Sequence, residues 1–273
     1  MSDMPIRIMQ FEFHEDELKQ SLPVLFFELG FSMTLPYLEP YLIRTMREAL
    51  KHTTDPAVAS DVKQFIGQEA QHFRQHRVLN DIVRNCHSAY TGLQAIEDEM
   101  EADYQRFTRT KSLKFNLAYA EGFEAATCAL ARNALSYSDM DADTTGVGRL
   151  LSWHLTEEIE HRTVTFNIYD HLFGNYFYRL FVGMYAQYHY FNYVFRFARF
   201  IKANQPQPGT VSTATKAAQS IRPRGVAAAM SLLGSLLSTY LPWYNPANIK
   251  LPQKIAELST RYSNDALETR FPQ

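Results

Sequence analysis

Cysteine is nearly missing: only Cys86 and Cys128 occur in 273 residues. Two thiols supply neither a disulfide framework nor a Cys-rich metal site, and a reducing cytoplasm suits the chain at least as well as secretion. A field of one sign is missing too. With 27 basic against 29 acidic side chains the net charge is -2, so nothing collects phosphate backbones and a nucleic-acid partner is not expected. There is no low-complexity bias, and a composition 46% hydrophobic and 21% charged excludes disorder as the main state. The first twenty residues, MSDMPIRIMQFEFHEDELKQ, lack a basic region followed by an apolar core and a cleavage site, which points to a cytoplasmic start. No run of period-two alternation bounded by turn signals appears, so the expected class is all-α.

Long apolar runs are scarce as well. Residues 225–249 carry no charge, but their most apolar part, Val226–Leu241, falls short of the roughly 20 residues a spanning helix needs. A buried helix is the simplest reading of this segment; peripheral contact with a membrane surface is the sharper one.

Helical periodicity is what the chain has in quantity. One apolar segment runs from about Leu22 to Leu50 and ends at HTTDPAV (52–58); a second runs from about Val58 to Arg84. These read as a helical hairpin. After Cys86 comes a charged stretch with one helix of its own, read as a surface crossover. A second hairpin follows, from about Leu113 to Leu135 and from about Val147 to Tyr169, around the loop SYSDMDADTTG (136–146). Two hairpins joined by a long crossover make a four-helix bundle. Beyond it, Phe173–Phe200 holds 13 of the 37 aromatic residues, which could pack on the bundle or wall an apolar substrate tunnel.

Two Glu-x-x-His pairs stand out, Glu69-Ala-Gln-His72 and Glu158-Ile-Glu-His161. On a helix, residues three apart lie about 60° apart with about 4.5 Å of rise, so each pair puts a carboxylate and an imidazole on one face at chelating distance. A di-metal bundle needs one further carboxylate from each of the other two helices. In a helical hairpin, residues at equal depth have the turn at their sequence midpoint. Glu39 with Glu69 has its midpoint in HTTDPAV, whereas Glu28 would place it inside the helix at REAL. Glu124 with Glu158 has its midpoint in SYSDMDADTTG, and Glu121, one turn earlier, remains open by this test. Buried carboxylates and imidazoles are costly unless a cation compensates them. His154 and His76 each lie on a ligand stripe, as a seventh ligand or a supporting histidine. Cys128, one turn past Glu124, is more simply a small core residue. Length alone suggests about two domains, but these residues must converge, so 1–174 reads as the metal bundle and 175–273 as an aromatic-rich helical extension packed on it.

The blocks FSMTLPYLEPYLIRTMREAL (31–50), DVKQFIGQEAQHFRQHRVLN (61–80), FEAATCAL (123–130) and LLSWHLTEEIEHRTVTFNIYD (150–170) resemble those of the bacterial predicted metal-dependent hydrolases. That family's first block usually reads Pro-x-Gly-Glu, where this chain has Pro36-Tyr-Leu-Glu39; the glutamate is kept and the small residue is not. The ligand pattern also resembles ferritin-like di-iron proteins. Within those, His154-x-x-x-Glu158-x-x-His161 is similar to the three-histidine arrangement of the arylamine N-oxygenases. The resemblance implies Glu39, Glu69, His72, Glu124, His154, Glu158 and His161 as ligands of two metal ions, iron first and manganese second, since carboxylate and imidazole suit both.

Three functions are weighed. The leading one is an O2-activating di-iron oxidase or oxygenase of a small or apolar organic substrate, with Glu69 and Glu158 bridging, Glu39 and Glu124 terminal, and His72 and His161 one per metal. The second is a two-metal hydrolase of an ester or phosphoester, which is what the family description implies. The third is a non-catalytic lipid-binding or iron-handling bundle. The expected partners are the small-molecule substrate and dioxygen, with a homodimer as the candidate assembly.

Overall fold

The computed structural model describes residues 4–142, 144–205 and 222–270. The expected first hairpin is present as α1 (Glu15–Leu50) and α2 (Pro56–Asn85). Asp55 makes the turn between them: its carboxylate accepts from the backbone N–H of Ala57 at 2.8 Å, and Pro56 occupies the first helical position, where its missing N–H is not needed. The helix α1 continues through Pro23, Pro36 and Pro40. It is the described helix long and apolar enough to cross a membrane, yet 67% of its most apolar window is buried inside the fold. It is the core helix that carries Glu39.

The crossover forms α3 (Leu93–Thr110), whose Leu93, Met100, Tyr104 and Phe107 are buried. It is therefore a packed amphipathic element resting on α1 rather than a purely superficial one. The second hairpin begins with α4 (Leu113–Tyr137), capped by Ser112, whose hydroxyl accepts from the Phe115 N–H at 3.2 Å. Its second arm is not the single helix expected from Val147 to Tyr169. It breaks into α5 (Gly146–Glu160) and α6 (Val164–Leu172), with His161 at φ -93°, ψ 6° closing α5. The Val164 N–H donates to the His161 carbonyl at 2.9 Å, and the Arg162 guanidinium takes the Ile159 carbonyl at 2.7 Å. The freed backbone groups are thus satisfied locally.

The aromatic segment forms α7 (Tyr176–Ala203), which packs against α1 and α4. A Cβ on Gly122 of α4 would lie 2.3 Å from the Cα of Gly183 of α7. The two helices therefore cross at backbone contact, which only glycine permits. The uncharged segment contains α8 (Gly225–Ser238), and here the buried-helix expectation fails. Ala228 is the residue of α8 that is buried, held by the Asn133 amide donating to its carbonyl at 2.6 Å.

The chain closes with α9 (Ile255–Asp265). Two three-residue strands, which no sequence signal announced, join the ends: β1 (Ile6–Ile8) pairs antiparallel with β2 (Glu268–Arg270), Arg7 opposite Thr269. Strand β1 lies along α2 at Gly67, where a Cβ would stand 2.1 Å from the Ile6 side chain. Among the described residues the fold is otherwise helices and loops.

Candidate metal centre

Helices α1, α2, α4 and α5 each contribute to one cluster in the core. Glu39 comes from α1, Glu69 and His72 from α2, Glu124 from α4, and His154 and Glu158 from α5. His161 follows at the helix break. All seven are at most 2% exposed. Their ligand-type atoms fall into three mutually close groups, Glu39/His72/His154, Glu69/Glu124/His161 and Glu69/His72/Glu158, each within 4.8 Å.

The contacts show how the groups join. His161 Nε2 lies 3.3 Å from Glu124 Oε2, 3.5 Å from Glu69 Oε1 and 3.6 Å from Glu158 Oε1. His72 Nδ1 lies 3.6 Å from Glu69 Oε1 and 4.0 Å from Glu158 Oε1. His154 Nε2 is 3.0 Å from Glu158 Oε1. Glu69 and Glu158 thus reach imidazoles in both halves. Every one of the seven residues also presents a buried atom with no hydrogen-bond partner: both oxygens of Glu39, Glu69 and Glu124, Oε2 of Glu158, Nδ1 of His72, and Nε2 of His154 and His161. Buried polar atoms are normally paired. So dense a set of exceptions fits a cation better than it fits any arrangement of the chain alone.

The far nitrogen of each imidazole is tied down. His72 Nε2 donates to Glu157 Oε2 at 2.9 Å, and Glu157 Oε1 accepts from Arg7 Nη1 at 2.8 Å and Trp153 Nε1 at 3.0 Å. His161 Nδ1 donates to Gln68 Oε1 at 3.1 Å, because the Gln68 amide nitrogen already donates to Glu160 and to the Pro5 carbonyl. His154 is fixed through a longer chain. The Asn80 amide nitrogen donates to the Ser32 carbonyl at 2.9 Å, which turns its oxygen toward the Ser32 hydroxyl at 2.7 Å. Ser32 spends its one proton there and must accept from His76 Nδ1 at 2.8 Å. His76 Nε2 is then an acceptor for His154 Nδ1 at 2.9 Å, and His154 Nε2 carries a lone pair toward the cluster.

Family comparison adds one finding: the family described as predicted metal-dependent hydrolase matches residues 7–250. The chain belongs to that family. Neither the curated proteins nor the solved structures give a match. The matched span of this hydrolase family runs from Arg7 through α8 and contains all seven clustered residues.

The residues left open by the sequence divide cleanly. Glu121 accepts from Arg179 Nη1 of α7 at 2.8 Å, while Glu124 joins the cluster. His76 stands behind His154 and outside the groups; Cys128 is buried and also outside them. Arg7, Gln68, Glu157, Ser32 and Asn80 were not anticipated. Arg7, fully buried, binds Glu157 and also grips Glu160 with both Nη atoms at 2.8 Å each. Replacing His76 with leucine removes the acceptor for His154. It should weaken metal binding by about 10- to 100-fold and destabilise the metal-free chain by about 1 to 3 kcal/mol, because His154 Nδ1–H and the Ser32 hydroxyl lose their buried partner, as metal titration and melting would show.

Without metal, the cluster holds protons. Burial, then repulsion from Glu69, Glu158 and Glu124, pushes the Glu39 carboxyl well up; burial and Glu158 push Glu124 up to about 8. Burial lowers His72, but the hydrogen bond to Glu157 and the neighbouring Glu69 carboxylate outweigh it and raise it to about 9. His161 is raised in the same way by Glu158 and Glu124. Burial opposes the ionised form of Glu158, yet His161 and His154 hold it low, so its contribution changes only in acid. The stability His72 contributes is full below its ordinary 6.5 and lost as pH rises through about 9. The cost of ionising Glu124 sets in above its ordinary 4.5 and is complete above about 8. Both act in one direction. The metal-free chain should therefore melt several degrees lower at about pH 9 than at about pH 6, and metal loading should release protons and flatten the dependence. A metal-free Tm that rises over this window contradicts the assignment.

Proposed function

We propose that the seven clustered residues hold two metal ions in a ferritin-like bundle, and that the protein is a di-iron oxidase or oxygenase of a small apolar substrate. The observation that supports this most is the set of unpartnered buried atoms, one or more on each of the seven residues. Four carboxylates balance two divalent cations, so the loaded core is neutral. Iron fits this donor set and manganese also suits it, whereas a structural zinc prefers thiolates. Glu69 and Glu158, each near both His72 and His161, would bridge; Glu39 and Glu124 would bind one ion each. Bound iron would supply redox chemistry and a place for dioxygen.

The chain's own residues prepare the site for an apolar substrate. A cavity of about 220 Å³ lies between α1, α4, α5 and α8, lined by Phe27, Phe31, Leu130, Leu151, Leu155 and Leu232 among others. Phe31 meets the His154 ring edge-on with centroids 5.8 Å apart, so one aromatic ring stands between the cavity and the cluster. The cavity's walls are mainly apolar, with Glu28 and Asn133 as the polar members, and they offer no cation to hold a phosphoester. Hydrolysis of an ester is the second reading, favoured by the family's description. Dioxygen uptake by the Fe(II)-loaded protein, with a new near-ultraviolet absorption band, is expected on the oxidative reading. Ester turnover under strict anaerobiosis would overturn it in favour of hydrolysis.

A further inference from the structure

Two helix faces outside the cluster have no partner within the described fold. On α7, Phe177, Phe181, Met184 and Tyr188 follow one another at helical spacing and are 68%, 68%, 48% and 74% exposed. On α8, Val226, Met230, Leu233 and Leu237 repeat the same spacing at 80%, 62%, 51% and 55%. The two stripes are neighbours, since Met184, Tyr188 and Phe195 line one groove with Leu236 and Leu237. Trp243, just past α8, is 74% exposed. A soluble surface rarely leaves so much apolar area contiguous.

The exposed charge that the α7–α8 segment itself carries is basic, while Arg179, Arg196, Arg222 and Lys254 pair with Glu121, Glu99, Glu28 and Asp141 of other elements. Between Asp170 and Glu257 the chain carries nine lysines and arginines and no aspartate or glutamate, although the whole chain has net charge -2. Arg199 and Lys202 on α7, Arg224 before α8 and Lys250 after it are exposed. A second copy meeting this face about a twofold axis would set cations against cations. An anionic surface with an apolar interior complements both features.

We propose that the α7–α8 face docks on a bilayer containing anionic phospholipid. The apolar side chains enter the headgroup and acyl boundary, Trp243 anchors at the interface, and the basic rim meets lipid phosphates. Resting on the proposed reading of the cavity beneath α8, docking also presents that cavity to molecules dissolved in the bilayer.

The full chain is tested with vesicles of phosphatidylcholine alone and mixed with phosphatidylglycerol. Trp153 is fully buried, so a blue shift in tryptophan emission reports Trp243. Co-sedimentation with the mixed vesicles, weakened by salt, together with the blue shift is the expected result. Phe181→Ser with Met230→Ser should cut partitioning by at least roughly tenfold at unchanged Tm, because both side chains are exposed. Glu69→Ala should bind vesicles like the parent, which separates this inference from the metal reading. Absence of binding to mixed vesicles overturns the proposal. So does equal binding to phosphatidylcholine alone, or a dimer in solution that the double variant dissociates.

Discussion

With Glu69 and Glu158 both replaced by alanine, the chain should keep its helices and lose both metal ions. These are the two carboxylates that approach imidazoles in both halves of the cluster. Their removal leaves Glu39, His72 and His154 in one half and Glu124 with His161 in the other. Neither remnant neutralises a divalent ion, and a buried charge left uncompensated is strongly disfavoured. Metal content should fall from two ions per chain to near none, and turnover by about three orders of magnitude or more, since metal ions supply several kcal/mol of charge stabilisation. Melting separates this from unfolding. The metal-free variant sheds three carboxylate oxygens that had no partner but also the Glu158 oxygen that faces His154 and helps keep His161 charged, so unchanged helix content and a cooperative melt, rather than a preserved Tm, show that it is folded. Added Fe(II) should raise the parent's Tm, because a ligand that binds only the folded state stabilises it, and should leave the variant's unchanged. A variant that still holds two ions refutes the bridging roles.

Arg7→Ala should be the most destabilising single substitution. The guanidinium is fully buried against Glu157 and Glu160; burial works against its charge, but the two carboxylates outweigh it and raise its pKa further. Deleting it leaves two carboxylates facing each other in the interior. Breaking a buried pair in this way costs about 3 to 5 kcal/mol, or roughly 6 to 20 °C in Tm for a chain of this size. Metal affinity should fall as well, because Glu157 would lose the partner that holds it against His72. Arg7→Ala combined with Glu157→Gln and Glu160→Gln should recover much of the loss. A Tm within about 1 °C of the parent would show that Arg7 does not hold the centre together.

How much of this was legible depended on the range of the signal. The helices α1, α2 and α4 follow from periodicity, and the symmetry of a hairpin about its turn gives Glu39 over Glu28 and narrows the α4 ligand to Glu121 or Glu124. The choice between Glu121 and Glu124 could not be read, because Arg179, which takes Glu121, lies 58 residues away on α7. His76 and His154 share a stripe with their neighbouring ligands, and only the chain through Ser32 and Asn80 separates their roles. The break at His161 left no trace, since apolar periodicity runs on through Val164 and Ile168. Strand β1 was invisible for a related reason. Three residues that pair with a segment some 260 positions away carry no local pattern, so Arg7 looked like an ordinary N-terminal charge. The uncharged run at α8 read more simply as interior than as surface, because composition records apolarity and not what covers it.

The most direct test of the account is a crystal structure of the anaerobically Fe(II)-loaded protein with diffraction recorded at the iron absorption edge. The account predicts two anomalous peaks. One lies among Glu39, His72 and His154, the other among Glu124 and His161, with Glu69 and Glu158 between them. No peak in the bundle, or iron held by other residues, would contradict it.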